Sequence, residues 1–307
     1  MKWYMALNEA GTGGDLAMHA RVAVLSARAN TTLQPHLLYY GERNDFTRWL
    51  ERNGVRIINS QPHFLDLILD LVSEGRYSEA FIGHWLRVSV CVEEWDDPFL
   101  LYTDIDVLIR RDPDLRSIRP EVLAAAPEFQ PTNWNYFNAG VMVVNVERLR
   151  ADHARFERYL REHLAARTYG FHNQIAYNDF YRRRWSRLPV EMNWKPYWGW
   201  NPAAEIVHFH GPKLGAIGAI LDGSWDWSSD HGSQIGSLFA SHVADYEAYL
   251  RLCLDAAPGL PAEDEDRIAQ TLRRFPAYRD RAAGEPIDLS FTTQSMFPDD
   301  DAPPAIP

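Results

Sequence analysis

Asp104 and Asp106 stand one residue apart, with Ile105 between them, where an apolar run breaks. Residues 98–110 read PFLLYTDIDVLIR, so bulky apolar side chains lie on both sides of the two acids. A run of this kind is a strand buried on both faces. Two carboxylates at its end need a positive partner, because an unpaired charge taken from water is costly. No Lys or Arg stands within four residues before Asp104. A divalent cation answers the need, through hard oxygen ligands and a turn that aims both carboxylates at one point. The alternative for Asp-x-Asp is a cap on the following turn, and the rest of the chain must decide.

Other stretches carry chemistry. Residues 205–213 read EIVHFHGPK: Ile206, Val207 and Phe209 mark a strand, and His208 and His210 alternate with them onto one face. An imidazole beside two carboxylates makes a mixed O/N site suited to Mn²⁺ or Mg²⁺ completed by phosphate oxygens. Lys213 follows the Gly211-Pro212 turn. Asn138, Ala139 and Gly140 put small residues at the start of the strand 141–146, as where backbone approaches a ligand closely. Asn173-Gln174 precedes the apolar Ile175, Ala176 and Tyr177, and Tyr197, Trp198 and Trp200 cluster among Asn and Gly. Such aromatic faces suit a sugar ring or a packed knot.

Alternating elements must position these residues. Strands are expected at 2–8, 36–40, 55–58, 122–126 and 141–146. Helices are expected at 16–29, 46–53, 64–74, 83–94, 147–167, 235–256 and 268–275. The 83–94 helix carries Arg87, which could reach the carboxylates. The loop NEAGTGGD between the first strand and helix suits a nucleotide phosphate or ribose, or is a plain turn. Strand–helix alternation implies an α/β fold, with a parallel sheet and helices on its faces.

The 307 residues include 31 basic and 42 acidic side chains, a formal charge of −11. That balance argues against nucleic acid or an anionic membrane as the main partner. No apolar run reaches the ~18 residues that span a bilayer. The N-terminus MKWYMALNEAG reads as a strand, not a signal peptide, and Cys91 and Cys253 read as reduced packing residues. The expectation is a cytoplasmic protein.

Four stretches in order, LLYTDIDVLI, YFNAGVMVVN, LPVEMNW and VHFHGPK, resemble the family 8 glycosyltransferases, retaining enzymes of the GT-A fold. The resemblance runs from about Trp85 to Lys213. It implies a mixed, mostly parallel sheet and transfer of a hexose from a UDP-sugar to a hydroxyl acceptor on a saccharide, glycoconjugate or small molecule. It implies that Asp104, Asp106 and His208 hold Mn²⁺ or Mg²⁺, and that Gly211 and Lys213 bind the diphosphate. Asn138, Ala139 and Gly140 would contact the donor sugar, with Arg87 near it. Thr103 and Ile105 would complete the donor site around the Asp-x-Asp motif. Ala6, Leu7 and Asn8 would meet the uridine. Gln174 would lie beneath the anomeric carbon, with Asn173 and Asp104 beside it in the catalytic group.

The chain departs from the family at two points. Asn173 stands where the family usually has Asp, and Leu214 follows Lys213 where the family has Pro-Trp. On this resemblance residues 1–215 form the catalytic domain, with a nucleotide-sugar half at about 1–110 and an acceptor half at about 111–215. Residues 216–281 form a helical extension and 282–307 an irregular Pro/Asp-rich tail.

Three rivals stay open at the level of sequence. An inverting enzyme would need a carboxylate base, for which Asp96, Asp97 and Asp179 are candidates. A nucleotidyltransferase would need a basic triphosphate loop, and residues 8–15 carry no Lys or Arg. A carbohydrate-binding protein could keep the fold without turnover. Donor sugar, acceptor and oligomeric state are not specified.

Overall fold

The computed structural model describes residues 1–166, 172–256, 258–281 and 286–293. A seven-stranded sheet has the spatial order β3-β2-β1-β4-β7-β6-β8. Its strands are β1 (Lys2–Asn8), β2 (Gln34–Tyr40), β3 (Arg56–Asn59), β4 (Phe99–Thr103), β6 (Leu123–Pro127), β7 (Phe137–Asn145) and β8 (Trp185–Arg187). The first four run parallel; β7 runs antiparallel to both β4 and β6, and β8 is parallel to β6. A small antiparallel sheet pairs β5 (Val107–Ile109) with β9 (Ile206–His208).

The helices are α1 (Gly14–Asn30), α2 (Asp45–Arg52), α3 (Leu65–Ser73), α4 (Ile82–Trp85), α5 (Val90–Glu93), α6 (Val146–Ala166) and α7 (Asn173–Phe180). After β9 come α8 (Leu214–Asp222), α9 (Asp230–Ala240), α10 (Val243–Ala256), α11 (Ala262–Leu272) and α12 (Phe275–Arg281). Local chemistry starts and stops them. Asn44 accepts from the Thr47 N–H while the Thr47 hydroxyl meets the Asn44 N–H, a reciprocal cap on α2. The Ser229 side chain caps α9 in the same sense, accepting from Gly232 N–H.

Side chains of β1 alternate between two cores. Trp3, Met5 and Leu7 enter one with α1 and α2, and Tyr4 enters the other with Trp85, Leu100 and Tyr102. A third core joins Met18, Val22 and Leu25 of α1 to Val207 and Phe209, and to Ile217, Phe239, Tyr246, Phe275 and Tyr278 of α8 to α12. Burying both sheet faces is what a parallel sheet of continuous apolar strands requires.

Four expectations need correction. The expected 268–275 helix straddles the break between α11, which starts at Ala262, and α12, which starts at Phe275. The run 98–110 is two strands in two sheets, broken at the acids. Two carboxylates cannot sit inside an apolar sheet, so the chain leaves it there. The Asp104 N–H donates to the Gly140 carbonyl, and the Phe209 N–H donates to the Asp106 carbonyl. The bend is therefore pinned to both sheets. The expected 83–94 helix is α4, a 3-10 turn over Leu86–Ser89, and α5. The expected 235–256 helix is α9 and α10, split at Ser241 and His242 so that Leu238 and Phe239 as well as Tyr246, Tyr249 and Leu250 reach the third core. Within the tail, Ser290–Thr293 is a 3-10 turn packed on the body through Phe291. Arg167 at the end of the expected 147–167 helix lies outside the described residues. So do residues 170–171, before α7, and 282–285 and 294–307 of the tail.

Candidate active site

Asp104 and Asp106 flank the break between β4 and β5, and β9 brings His208 opposite Val107. The His208 Nε2 lies 3.4 Å from Asp106 Oδ1 and 3.8 Å from Asp104 Oδ2. The other oxygen of each acid is already held. Lys213 Nζ donates to Asp106 Oδ2 at 2.5 Å, and Arg87 donates to Asp104 Oδ1 at 2.5 Å. Arg87 also donates to the Ala139 carbonyl and lies over the Tyr102 ring. Each carboxylate is thus oriented by a cationic side chain on one oxygen and turns the other toward the imidazole.

Burial alone would raise the Asp106 carboxyl, but the Lys213 ammonium beside it holds it well below the usual range. Burial pulls His208 down despite Asp106 beside it, so the imidazole is neutral. Its Nδ1 is 3.0 Å from Asn193 Oδ1, and the Asn193 amide donates to Asn138 Oδ1. With Nδ1 protonated toward Asn193, the Nε2 lone pair faces the two carboxylates, a tautomer fixed by its outer partner. One atom from each of Asp104, Asp106 and His208 lies within 4.8 Å of the others. Two oxygen ligands and one nitrogen lone pair facing a common point fit a divalent cation of the Mn²⁺ or Mg²⁺ kind.

These residues open onto a cavity of about 730 Å³. Ala6, Leu7, Asn8, Arg87, Ile105, Asn138, Asn173, Gln174, Gly211 and Lys213 line it with Asp104, Asp106 and His208. Thr103, Ala139 and Gly140 are not among its lining residues. Thr103 is buried, and its hydroxyl accepts from the Trp3 indole at 2.8 Å. Ala139 works through its backbone, donating N–H to Gln174 Oε1 and giving its carbonyl to Arg87. A Cβ on Gly140 would meet His208 Cε1 at 2.1 Å, so that glycine lets the imidazole close on β7.

Gln174 Oε1 also accepts from Asn138 Nδ2, and Gln174 hydrogen-bonds Tyr136. Asn173 is buried and donates from Nδ2 to the His84 carbonyl at 2.9 Å. An aspartate could not make that donation while ionised, which accounts for the amide at this position.

Sequence reasoning missed a second cluster on the cavity wall. Glu128 directly follows β6, its Oε2 accepts from Asn138 Nδ2 at 2.7 Å, and its Oε1 lies 3.1 Å from His210 Nε2. The hydroxyl of Tyr197 lies 2.8 Å from His210 Nδ1. Burial alone would raise Glu128, but His210, Lys195 and Asn138 hold it down at about 2. A signal existed: Glu128 closes the apolar run VLAAAP, just as Asp104 closes its own. The sequence-level candidates for a base lie elsewhere. Asp96 is exposed and paired with Lys2, Asp97 accepts from the Lys2 N–H, and Asp179 accepts from Tyr159.

No protein-family model matches the chain, and no curated protein matches it. Solved structures do. The galactosyltransferase LgtC, in complex with donor and acceptor sugar analogs, superposes with a TM-score of 0.58 at 17% identity, over 87% of this chain and 100% of that one. The apo form of the glycosyltransferase GlyE from Streptococcus pneumoniae TIGR4 gives 0.54 at 14% identity, over 93% of this chain and 64% of that one. At these identities the likeness is one of fold. The chain has the GT-A glycosyltransferase fold, as expected from its motifs: a mixed, mostly parallel sheet flanked by helices, with further helices at the C-terminal end. Among the described residues no helix is long and apolar enough to cross a membrane.

Proposed function

We propose that the protein is a glycosyltransferase that moves a sugar from a nucleoside diphosphate donor, a UDP-sugar, to a hydroxyl acceptor with retention at the anomeric carbon. The observation that carries this reading is the convergence of Asp104, Asp106, His208 and Lys213 on one wall of the cavity that also holds Gln174 and Asn138. Breaking a sugar–phosphate bond leaves negative charge on a diphosphate. Fixed positive groups where that charge develops are usually the largest catalytic term. A divalent cation held by Asp104, Asp106 and His208 would supply Lewis-acid charge there.

The chain's own residues do the rest. The Lys213 ammonium is held between Asp106 and the Phe209 carbonyl, at the edge where a diphosphate would lie. Arg87 fixes Asp104 and the backbone at Ala139. Gln174 is anchored through its carbonyl oxygen and carries no titratable proton, so it positions the sugar and does not act as a base. In a retaining transfer the departing phosphate oxygen takes the acceptor proton, and no protein base is needed. The remaining cavity carboxylate, Glu128, is held at about 2 and is a poor proton acceptor near neutrality, which weighs against an inverting mechanism.

The test is Mn²⁺-dependent turnover of a panel of UDP-sugars, as hydrolysis and as transfer, in wild type and Asp106→Asn. The expected outcome is a loss in kcat of about 10²-fold or more, the scale of an electrostatic group removed from a reacting centre, with the circular dichroism spectrum unchanged. Full activity in Asp106→Asn, or equal activity in chelator, would overturn the reading. Net inversion in the product would overturn its stereochemical part alone.

A further inference from the structure

A second group of metal-type ligands lies outside the cavity. His153 and Glu157 are four residues apart on α6, hence on one face of that helix. His63 comes to meet them from the turn before α3. Its Nδ1 is 3.0 Å from His153 Nε2 and 3.8 Å from Glu157 Oε2. One donor atom from each of the three lies within 4.8 Å of the others.

The partners around these ligands matter as much as the ligands. Cys91 Sγ lies 3.6 Å from the Val88 carbonyl and 3.8 Å from His153 Nδ1. A thiol that donates to the carbonyl leaves sulfur lone pairs for the His153 Nδ1–H. That tautomer turns the Nε2 lone pair toward His63. Glu157 is oriented in turn: its Oε1 accepts from Arg161 Nε at 3.0 Å, leaving Oε2 on the imidazole side. Arg161 also donates to the His63 carbonyl at 2.9 Å, fixing the turn that presents the third ligand. Outer partners of this kind orient the ligands in metal sites. His63 further borders a cavity of about 630 Å³ whose wall carries Glu9, Glu42, Glu79 and Glu93. Such an acidic approach concentrates cations.

We infer that His63, His153 and Glu157 form a second metal site, selective for a borderline transition ion of the Zn²⁺ class and distinct from the Asp104–Asp106–His208 group. Two imidazoles and one carboxylate with an open fourth position suit Zn²⁺ over the harder Mn²⁺ or Mg²⁺. Bound there, the ion would clip the turn at residue 63 to α6, and the site stands or falls independently of sugar transfer.

The test titrates Zn²⁺ into the full chain by calorimetry in an Asp106→Asn background, which weakens the first group. His63→Ala and the near-isosteric Glu157→Gln are then added separately. One Zn²⁺ per chain is expected in the background, with a rise in melting temperature, since binding to the native state alone stabilises it. Each added substitution is expected to weaken binding by about tenfold or more, the lower end of what disturbing even an outer partner does. Co²⁺ should give a visible absorption band in the background and not in His63→Ala. Unchanged affinity in both variants, or no Zn²⁺ bound in the background, would overturn the site.

Discussion

Two carboxylate–imidazole–lysine trios meet at the cavity wall, one open to it and one closed behind it. Asp106, His208 and Lys213 form the first; Glu128, His210 and Lys195 form the second. The two imidazole rings are only 5.6 Å apart, carried by alternate residues at the end of β9. In the open trio the imidazole is a lone-pair donor facing two carboxylates, and the lysine is part-exposed at the cavity edge. In the closed trio the imidazole bridges a buried carboxylate and a tyrosine hydroxyl. Its lysine is fully buried, donating to the Pro127 carbonyl at 2.6 Å over the Trp198 ring. Burial pulls Lys195 down to about 7, although Glu128 opposes the shift. The same residue types therefore do different work. The open trio has a carboxylate–imidazole face left over for a cation, whereas the closed trio satisfies itself and holds the wall.

The largest effect is expected from breaking the closed trio with Glu128→Gln. A carboxyl with an ordinary value of 4.5 that is held at about 2 in the folded chain stabilises it above 4.5. It contributes about 3 kcal/mol there, which is lost as the pH falls toward 2. Denaturant unfolding should show the variant less stable than wild type by that order at pH 7, with the gap closing between pH 4.5 and pH 2. A gap independent of pH would mean that the charge of Glu128 contributes nothing and that the closed trio is only packing.

The open trio was legible in the sequence and the closed one was not, and the reason is physical. Asp104 and Asp106 are adjacent acids at the end of a buried run, and an argument from burial needs nothing distant. The strands β1 to β3 are legible for the same reason, as short apolar runs closed by turn residues, with Gly54 at a φ of +86° after α2. Lys195 stands between Trp194 and Pro196, and nothing local says that it is buried. It donates to the Pro127 carbonyl beside Glu128, so only the folded sheet shows that the two charges act on each other. The break between β4 and β5 was also hidden, because apolar residues on both sides of the acids read as one strand.

A smaller effect is expected from breaking the open trio without touching its charges. Gly140→Ala would push a Cβ to 2.1 Å from His208 Cε1 and 2.8 Å from Nδ1, both in a buried ring. Overpacking of this kind costs about 1–3 kcal/mol. Displacing a positioned group by about 1 Å costs on the order of 10²-fold in rate. The variant should fold with a lowered melting temperature, and Mn²⁺ affinity by titration should fall together with kcat. Weakened metal binding with unchanged stability would place the adjustment in His208 alone; unchanged metal binding would remove His208 from the ligand set.

The smallest effect sharpens the boundary between the two trios. Phe129, next to Glu128, lies 5.8 Å from the His210 ring and meets Phe291 edge-on at 5.2 Å. Phe291 comes from the C-terminal turn, which Gln130 also holds by donating to the Thr292 hydroxyl at 2.9 Å. Both Phe129 and Phe291 line the cavity, on the side of the closed trio. An edge-to-face pair is worth about 0.5–1.5 kcal/mol beyond its buried area, so Phe291→Ala should lose about 1 kcal/mol from the pair in addition to the area the part-buried ring covers. Its kinetic signature should be selective: a several-fold rise in acceptor KM, with donor KM and metal affinity unchanged. That pattern follows if the donor occupies the open trio's end of the cavity and the acceptor the closed trio's end. Should donor KM rise in step with acceptor KM, the two ends would not be separate subsites, and the division of labour between the trios would fail at its acceptor side.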